Sequence, residues 1–346
     1  MLSALPQACI PANPEIAGIG IRASTYAQNF LGVFLAAFYL LDGEISSDEA
    51  EYIETASDAI LMTGCAIIIS AFIQAKTIGL SAYHAMIVLN LSWMNNSFLT
   101  ISWVFNYFEG QIKEQLPAER TRDQEEEMIS SSPSRRETKR ERSQVPNYVG
   151  LAHLSLMASF GIWLWQDINT FGDSSECTPY IFTVIFGHNV SAMNKSLQRV
   201  SLALYWMMVI PFVNIVVIFI AAFAISFICG IVVSLFIPLI HWLKRRHLTN
   251  SNTNNDDAVE ATPKHKSLLS SRYPAIFGLL YLPIVLLFNV LFAVDTELMI
   301  RRNRALVQPG ESQWTFGQTL AVIVTIIPLL EARKCINGWR KLRCVS

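Results

Sequence analysis

The stretch that decides the fold is residues 200–243, VSLALYWMMVIPFVNIVVIFIAAFAISFICGIVVSLFIPLIHWL. It holds no Asp, Glu, Lys or Arg. A run of 18 or more apolar residues without charge reads as a membrane-spanning helix. As one straight helix this run would be about 66 Å long at 1.5 Å per residue, more than one bilayer core needs. Two spans would fit the length, but nothing between Phe212 and Leu243 reads as a turn. Gly230 is the only glycine there, and no polar cluster surrounds it. The reading is one span from about Phe212 to Leu243, preceded by an interfacial stretch that ends at Pro211 and carries Tyr205 and Trp206. Two spans here, making eight in all, is the alternative.

Outward from this run, six further apolar segments appear. The seven lie near 20–41, 55–74, 81–107, 147–169, 202–243, 273–294 and 315–331. Each approaches the roughly 20 residues that cross a ~30 Å hydrocarbon core. The last is short and ends in a basic tail that can anchor it. The chain is 52% hydrophobic and 15% charged, against about 25% charged in a soluble domain. The expected fold is therefore all-α, a polytopic transmembrane helix bundle of seven spans in a single domain over 1–346. The N-terminus lacks a basic n-region, so the first span is expected to act as an uncleaved anchor.

Lys and Arg set the orientation. With the N-terminus outside, the inner side holds 19 of the 26 basic residues. The outer side then holds Arg22, Lys76, Lys195, Arg199, Arg301, Arg302 and Arg304. One inner loop, 42–54, is acidic and has no Lys or Arg, which fits less well. Two sequons, Asn189-Val190-Ser191 and Asn194-Lys195-Ser196, fall in an outer loop and are candidate glycosylation sites. Cys9 and Cys177 also fall outside, where a disulfide between them would persist; two unpaired thiols is the alternative. The segments 108–146 and 244–272 are polar and read as disordered cytoplasmic loops. The membrane is expected to be the plasma membrane or part of the endomembrane system.

The third span is the most polar. At 100° per residue His84, Ser92, Asn95 and Ser102 lie within about 80° of one another. Asn90 and Ser97 share another side, and Asn96 and Thr100 a third. Unsatisfied polar groups are costly in lipid, so this helix is expected at the centre of the bundle. Gln28, Asn29, Asn214, Asn289 and Gln318 lie towards the outer side of their spans. Together with His84, Asn90, Asn95 and Asn96 they are candidates for the lining of a neutral polar cavity. Plain interhelical hydrogen bonding is the competing reading. Outside, Glu297 and Arg301-Arg302-Asn303-Arg304 offer a charged cluster for an anionic ligand, or simply a solvated surface.

No acid or base sits deep in a span, which argues against a proton-coupled pump. The seventh span has no Lys for a retinal Schiff base, and neither a Walker A motif nor a potassium-type filter occurs. His84, His153 and His241 are the histidines within spans, too few on either face for a zinc site. No metal, no cofactor and no nucleic-acid partner is expected. The expected partners are the lipid bilayer and a small neutral or apolar molecule.

The segments Ile16-Ala17-Gly18-Ile19-Gly20-Ile21-Arg22, Tyr83 to Asn96, Glu297 to Asn303 and Trp314-Thr315-Phe316-Gly317-Gln318 look like those of a group of multi-pass membrane proteins from filamentous fungi. The resemblance spans most of the chain outside the two polar loops. It implies the bundle but no activity. Such proteins often accompany specialised-metabolite gene clusters, a contextual link only.

The function these features favour is non-catalytic: sensing or transporting a small neutral or apolar molecule. A membrane-embedded enzyme or accessory protein of a fungal specialised-metabolite pathway is the alternative. Its acid–base candidates are Asp58, His84, His153, Asp167 and His241, with no catalytic residue assigned among them. A purely structural or partner-binding subunit is the third possibility.

Overall fold

The computed structural model describes residues 8–40, 47–115, 145–209 and 265–343. Within them the chain is mostly helical. A single turn, α1 (Pro14–Ala17), leads into α2 (Ile19–Leu40), α3 (Ser47–Thr77), α4 (Ala82–Gln115) and α5 (Val145–Gln166). A 3-10 helix (Ser175–Tyr180) and a hairpin, β1 (Phe182–Ile185) and β2 (His188–Ser191), follow. Then come α6 (Lys195–Val209), α7 (His265–Asn303) and α8 (Phe316–Arg343).

These helices overlie the apolar segments read from sequence. For the segment 202–243 only the part to Val209 is described, so the choice between one span and two, and Asn214 with it, lies outside the described residues. Three stretches are long and apolar enough to cross a membrane: Tyr52–Thr77, Tyr148–Gln166 and Tyr281–Asn303. A shorter apolar stretch runs from Phe316 to Leu330. Helix also reaches into the edges of the expected loops: α4 continues to Gln115 and α7 begins at His265. The rest of 108–146 and 244–272 lies outside the described residues.

α4 is the hub. From Ala82 to Ser102 side chains on every side of it are buried, among them Tyr83, Ile87, Leu91, Met94, Phe98 and Ile101. It packs against α2, α3, α5 and α7. A helix covered all round occupies the centre of its bundle, the place its polar side chains demand. α7 and α8 are different. Ile284, Leu287, Val290 and Val294 on α7, and Leu320, Ile323, Ile326 and Leu330 on α8, are exposed. Large apolar faces of this kind are suited to lipid and costly in water.

One end of the bundle carries a cap that is mostly not helical. Cys9 and Cys177 are joined by a disulfide, which ties the N-terminal segment to the 3-10 helix. Ile10 pairs in parallel with Val307: its amide donates to the Leu306 carbonyl at 2.8 Å, and its carbonyl accepts from the Gln308 amide at 2.8 Å. The hairpin turns through Phe186 and Gly187 with φ of 51° and 77°. Two left-handed residues in a two-residue loop match the right-handed twist of the strands.

α7 holds this hairpin from below. The amides of Phe186 and Gly187 donate to Oδ2 and Oδ1 of Asp295, each at 2.8 Å. Two turns further on, the Asn303 side chain pairs with the backbone of Phe182: Oδ1 accepts from its amide at 2.9 Å and Nδ2 donates to its carbonyl at 2.7 Å. Asn303 thus satisfies an edge-strand residue as a neighbouring strand would. Asp295→Ala is expected to replace both turn bonds by bonds to water, since Phe186 and Gly187 are exposed, at about 0.5–1.5 kcal/mol for each. Hydrogen exchange at Phe186 and Gly187 should accelerate, and the melting midpoint of the purified protein should fall; unchanged protection would refute the clamp.

Candidate functional site

Two polar constellations are built on this frame. The first is the amide layer. Asn29 of α2 donates to Oδ1 of Asn95 on α4 at 2.8 Å and to its own Thr25 carbonyl at 2.9 Å. Asn96 Oδ1 accepts from His153 Nδ1 of α5 at 2.9 Å, and its Nδ2 lies 3.1 Å from Met157 Sδ. Ser97 donates to Asn289 Oδ1 of α7 at 3.0 Å. Gln28 donates to Thr325 of α8 at 3.3 Å. Thr100 and Tyr281 join α4 to α7 through their hydroxyls.

Gln318, fully buried near the start of α8, binds three backbone groups. Its Oε1 accepts from Gly20 N–H at 2.9 Å, and its Nε2 donates to the carbonyls of Pro14 and Gln313 at 3.0 and 2.7 Å. It locks α8 against the α1–α2 corner.

The candidate amides are therefore engaged mainly in bonds between helices, with Asn29 Oδ1 and His153 Nε2 left without a hydrogen-bond partner among the described residues. Gln28, Asn29, Asn95, Asn96, Asn289 and Gln318 are all buried, and none of them lines the cleft described below. Asn90 is half-buried and makes no hydrogen bond to a described residue. The layer is a cross-helix network centred on α4. Close packing completes it at Gly64 of α3. A Cβ there would lie 2.4 Å from His153 Nε2 and 2.7 Å from Asn95 Nδ2, so only glycine lets α3 approach α4 and α5 this closely.

The second constellation is a cleft of about 960 Å³ at the capped end. Its walls are the start of α2, the last three turns of α7 and the loop that follows α7. Arg22 of α2 forms an ion pair with Glu297 of α7. The Tyr26 hydroxyl donates to the same carboxylate at 3.0 Å. Across the cleft, Glu311 of the loop meets His84: Oε1 lies 2.7 Å from Nε2. Tyr83 reaches Oε2 of Glu311 at 3.5 Å.

Ser81 completes this second group. As the residue preceding α4 it accepts from the His84 backbone amide at 3.3 Å, the geometry of an N-cap. Its hydroxyl also lies 2.8 Å from His84 Nδ1. With its oxygen accepting from the amide, the hydroxyl hydrogen is free for Nδ1, and the Nε2–H tautomer then donates to Glu311. Ser81 is 5% exposed and fully used, so it is a support for His84 and is not placed as a nucleophile. Glu311 is the member that faces the cleft.

The other acid–base candidates do not join this group. His153 belongs to the amide layer. Asp58 is half-buried on α3 and Asp167 is exposed just beyond α5. His241 lies outside the described residues. Both sequons are presented to solvent. Asn189 is exposed on β2, and exposed Asn194 caps α6, its Oδ1 accepting from the amides of Ser196 and Leu197 at 2.9 and 3.1 Å. A glycan on Nδ2 would leave that capping oxygen in use.

Sequence reading passed over Tyr26, Asp295 and Glu311. Tyr26 and Asp295 sit at the edges of apolar segments, where a polar group usually meets water. Glu311 stands in a loop with no periodicity to mark it.

Within the amide layer, Asn29→Ala and Asn95→Ala should show a coupling of about 0.6 kcal/mol in a double-mutant cycle, the usual size of an interhelical hydrogen bond in a membrane protein. Gly64→Ala should cost about 1–3 kcal/mol by overpacking. Unfolding of the purified protein in mixed micelles measures both. Comparison with protein-family models, with curated proteins and with solved structures returned no match.

Proposed function

We propose that this chain is a multi-pass integral membrane protein, N-terminus outside and C-terminus in the cytoplasm, that senses or transports a small molecule held in the cleft between α2 and α7. The observation that carries the reading is the cleft itself. It lies at the braced end of the bundle, and its volume is within the 300–1,000 Å³ usual for small-molecule sites. Its lining mixes apolar side chains with a few fixed polar groups, the pattern such sites share. The ion pair in its wall joins α2 to α7, and Glu311 joins the loop to the buried first turn of α4 through His84. A ligand that displaces either contact would be felt along α4 or α7. That coupling suits sensing or gated passage better than a passive surface role.

The amides expected to line a neutral-ligand cavity bond to partners within the bundle, Asn90 excepted, so the reading rests on the cleft in their place. The apolar body of the ligand does carry over, since Ala17, Val294 and Leu298 line the cleft. The likeness to fungal multi-pass proteins supports a role beside a specialised-metabolite pathway as a proposal of the same standing. One feature favours the second reading, a membrane-embedded enzyme. Glu311, held by a buried histidine at the cleft wall, has the arrangement of an acid–base group.

Filling the cleft tests the first reading. Ala293→Trp should abolish any small molecule that co-purifies with the protein from its native host, as read by native mass spectrometry, with the melting midpoint kept. Retention of the molecule would place it elsewhere. Glu311→Gln tests the enzyme reading: a substrate accumulating in metabolite profiles, with ligand retained on the protein, would favour catalysis.

Orientation has its own test. Asn189→Gln with Asn194→Gln should remove a glycan mass shift in a eukaryotic host. Absence of glycan in the parent, with 108–146 open to external protease on intact cells, would reverse the topology and place the cleft in the cytoplasm.

A further inference from the structure

The cleft is graded along its length. Ala293 and Val294, Glu297 and Leu298, and Arg301 occupy successive turns of α7 on its wall. Eight residues at 1.5 Å place Arg301 about 12 Å from Ala293. The Ala293 end closes the uncharged run 273–294, and the neighbouring Val290 and Val294 are exposed. That end adjoins the exposed apolar face of α7. The Arg301 end faces the cap, where Arg304 and Gln308 also line the wall.

The charges are graded too. Arg22 and Glu297 neutralise each other. Glu311 is engaged by His84 and Tyr83. Among the described residues Arg301 and Arg304 have no acidic partner. Arg301 lies in the last turn of α7, where a cation complements the helix dipole. Arg304 is the next residue after the helix end at Asn303 and is exposed. Two guanidinium groups at one end of a cleft whose other charges, Arg22, Glu297 and Glu311, already have partners match a carboxylate or another oxyanion, which a guanidinium binds through paired N–H groups.

Resting on the reading of the cleft as a ligand site, we propose that its ligand is a single-chain anionic amphiphile. Its charged head meets Arg301 and Arg304, and its hydrocarbon lies along Ala293, Val294 and Leu298 towards the bilayer. The volume of about 960 Å³ is at the upper end for one drug-sized molecule, and entry from the lipid side needs no opening of the cap.

The test uses the purified full chain in nanodiscs of neutral phospholipid. The probes are a medium-chain fatty acid carrying a diazirine and the primary alcohol of the same chain, cross-linked by light and mapped by peptide mass spectrometry. The acid should label 293–304 saturably, and the alcohol about tenfold less at equal concentration, the range of one or two charge-assisted hydrogen bonds. Arg301→Gln with Arg304→Gln should bring the acid down to the level of the alcohol, and Arg199→Gln on α6, which does not line the cleft, should not. Added salt should weaken labelling by the acid more than by the alcohol, which keeps the proposal testable if the double variant fails to fold.

Equal labelling by acid and alcohol in the parent, or undiminished labelling by the acid in the double variant, would overturn the anionic specificity and leave the cleft as a ligand site. Loss of labelling when phosphatidic acid replaces part of the neutral lipid would overturn the single-chain assignment in favour of a bilayer lipid. If neither probe labels 293–304 saturably, the cleft reading falls together with this one.

Discussion

The structure depends on one constraint: the polar side chains of α4 must be satisfied away from water. Asn95, Asn96 and Ser97 are consecutive, so they point to different sides of the helix. No single neighbour can serve them all. α2 supplies Asn29, α5 supplies His153 and α7 supplies Asn289. Each partner fixes the rotation of its own helix about its axis, and α3 is drawn in close because Gly64 offers no side chain. In an apolar interior, where packing against lipid and packing against protein differ little, such bonds select one arrangement from many. Their individual contribution is small; the cost of leaving any one of them unmade is larger.

A second set of contacts sets the capped end. The Cys9–Cys177 disulfide, the Ile10–Val307 pairing and the Asp295 and Asn303 contacts hold segments distant in sequence. Gln318 adds the corner between α1, α2 and α8. Irregular backbone carries donors and acceptors that no helix satisfies, and here buried side chains of α7 and α8 do so. The result is a rigid rim on which the cleft is built. Rigidity matters for a site of mixed character, since a fixed ion pair and a fixed carboxylate discriminate between ligands better than mobile ones.

The cleft and the amide layer are joined through few residues. His84 is the first turn of α4 and touches Glu311; eleven residues on, Asn95 begins the network at the centre of the bundle. α7 likewise carries Glu297 in the cleft and Asn289 in the network, two turns apart. Both helices that line or support the cleft are therefore held by the same buried bonds.

Much was legible from the residues in order. Long uncharged runs mark helices because a helix satisfies its own backbone wherever it lies. The all-round polarity of the third segment placed α4 at the centre, since amides on several sides exclude a lipid-facing position. The same amides left two readings open, a polar cavity or bonding between helices, because a count of polar groups does not say whether they face one another or a void. That choice, the pairing of Arg22 with Glu297 across 275 positions, the support of Glu311 by His84 and the graded wall of α7 were decided by tertiary structure alone. Periodicity reports which side of one helix is polar. It carries no information on which helix stands opposite, and a binding site is a property of that opposition.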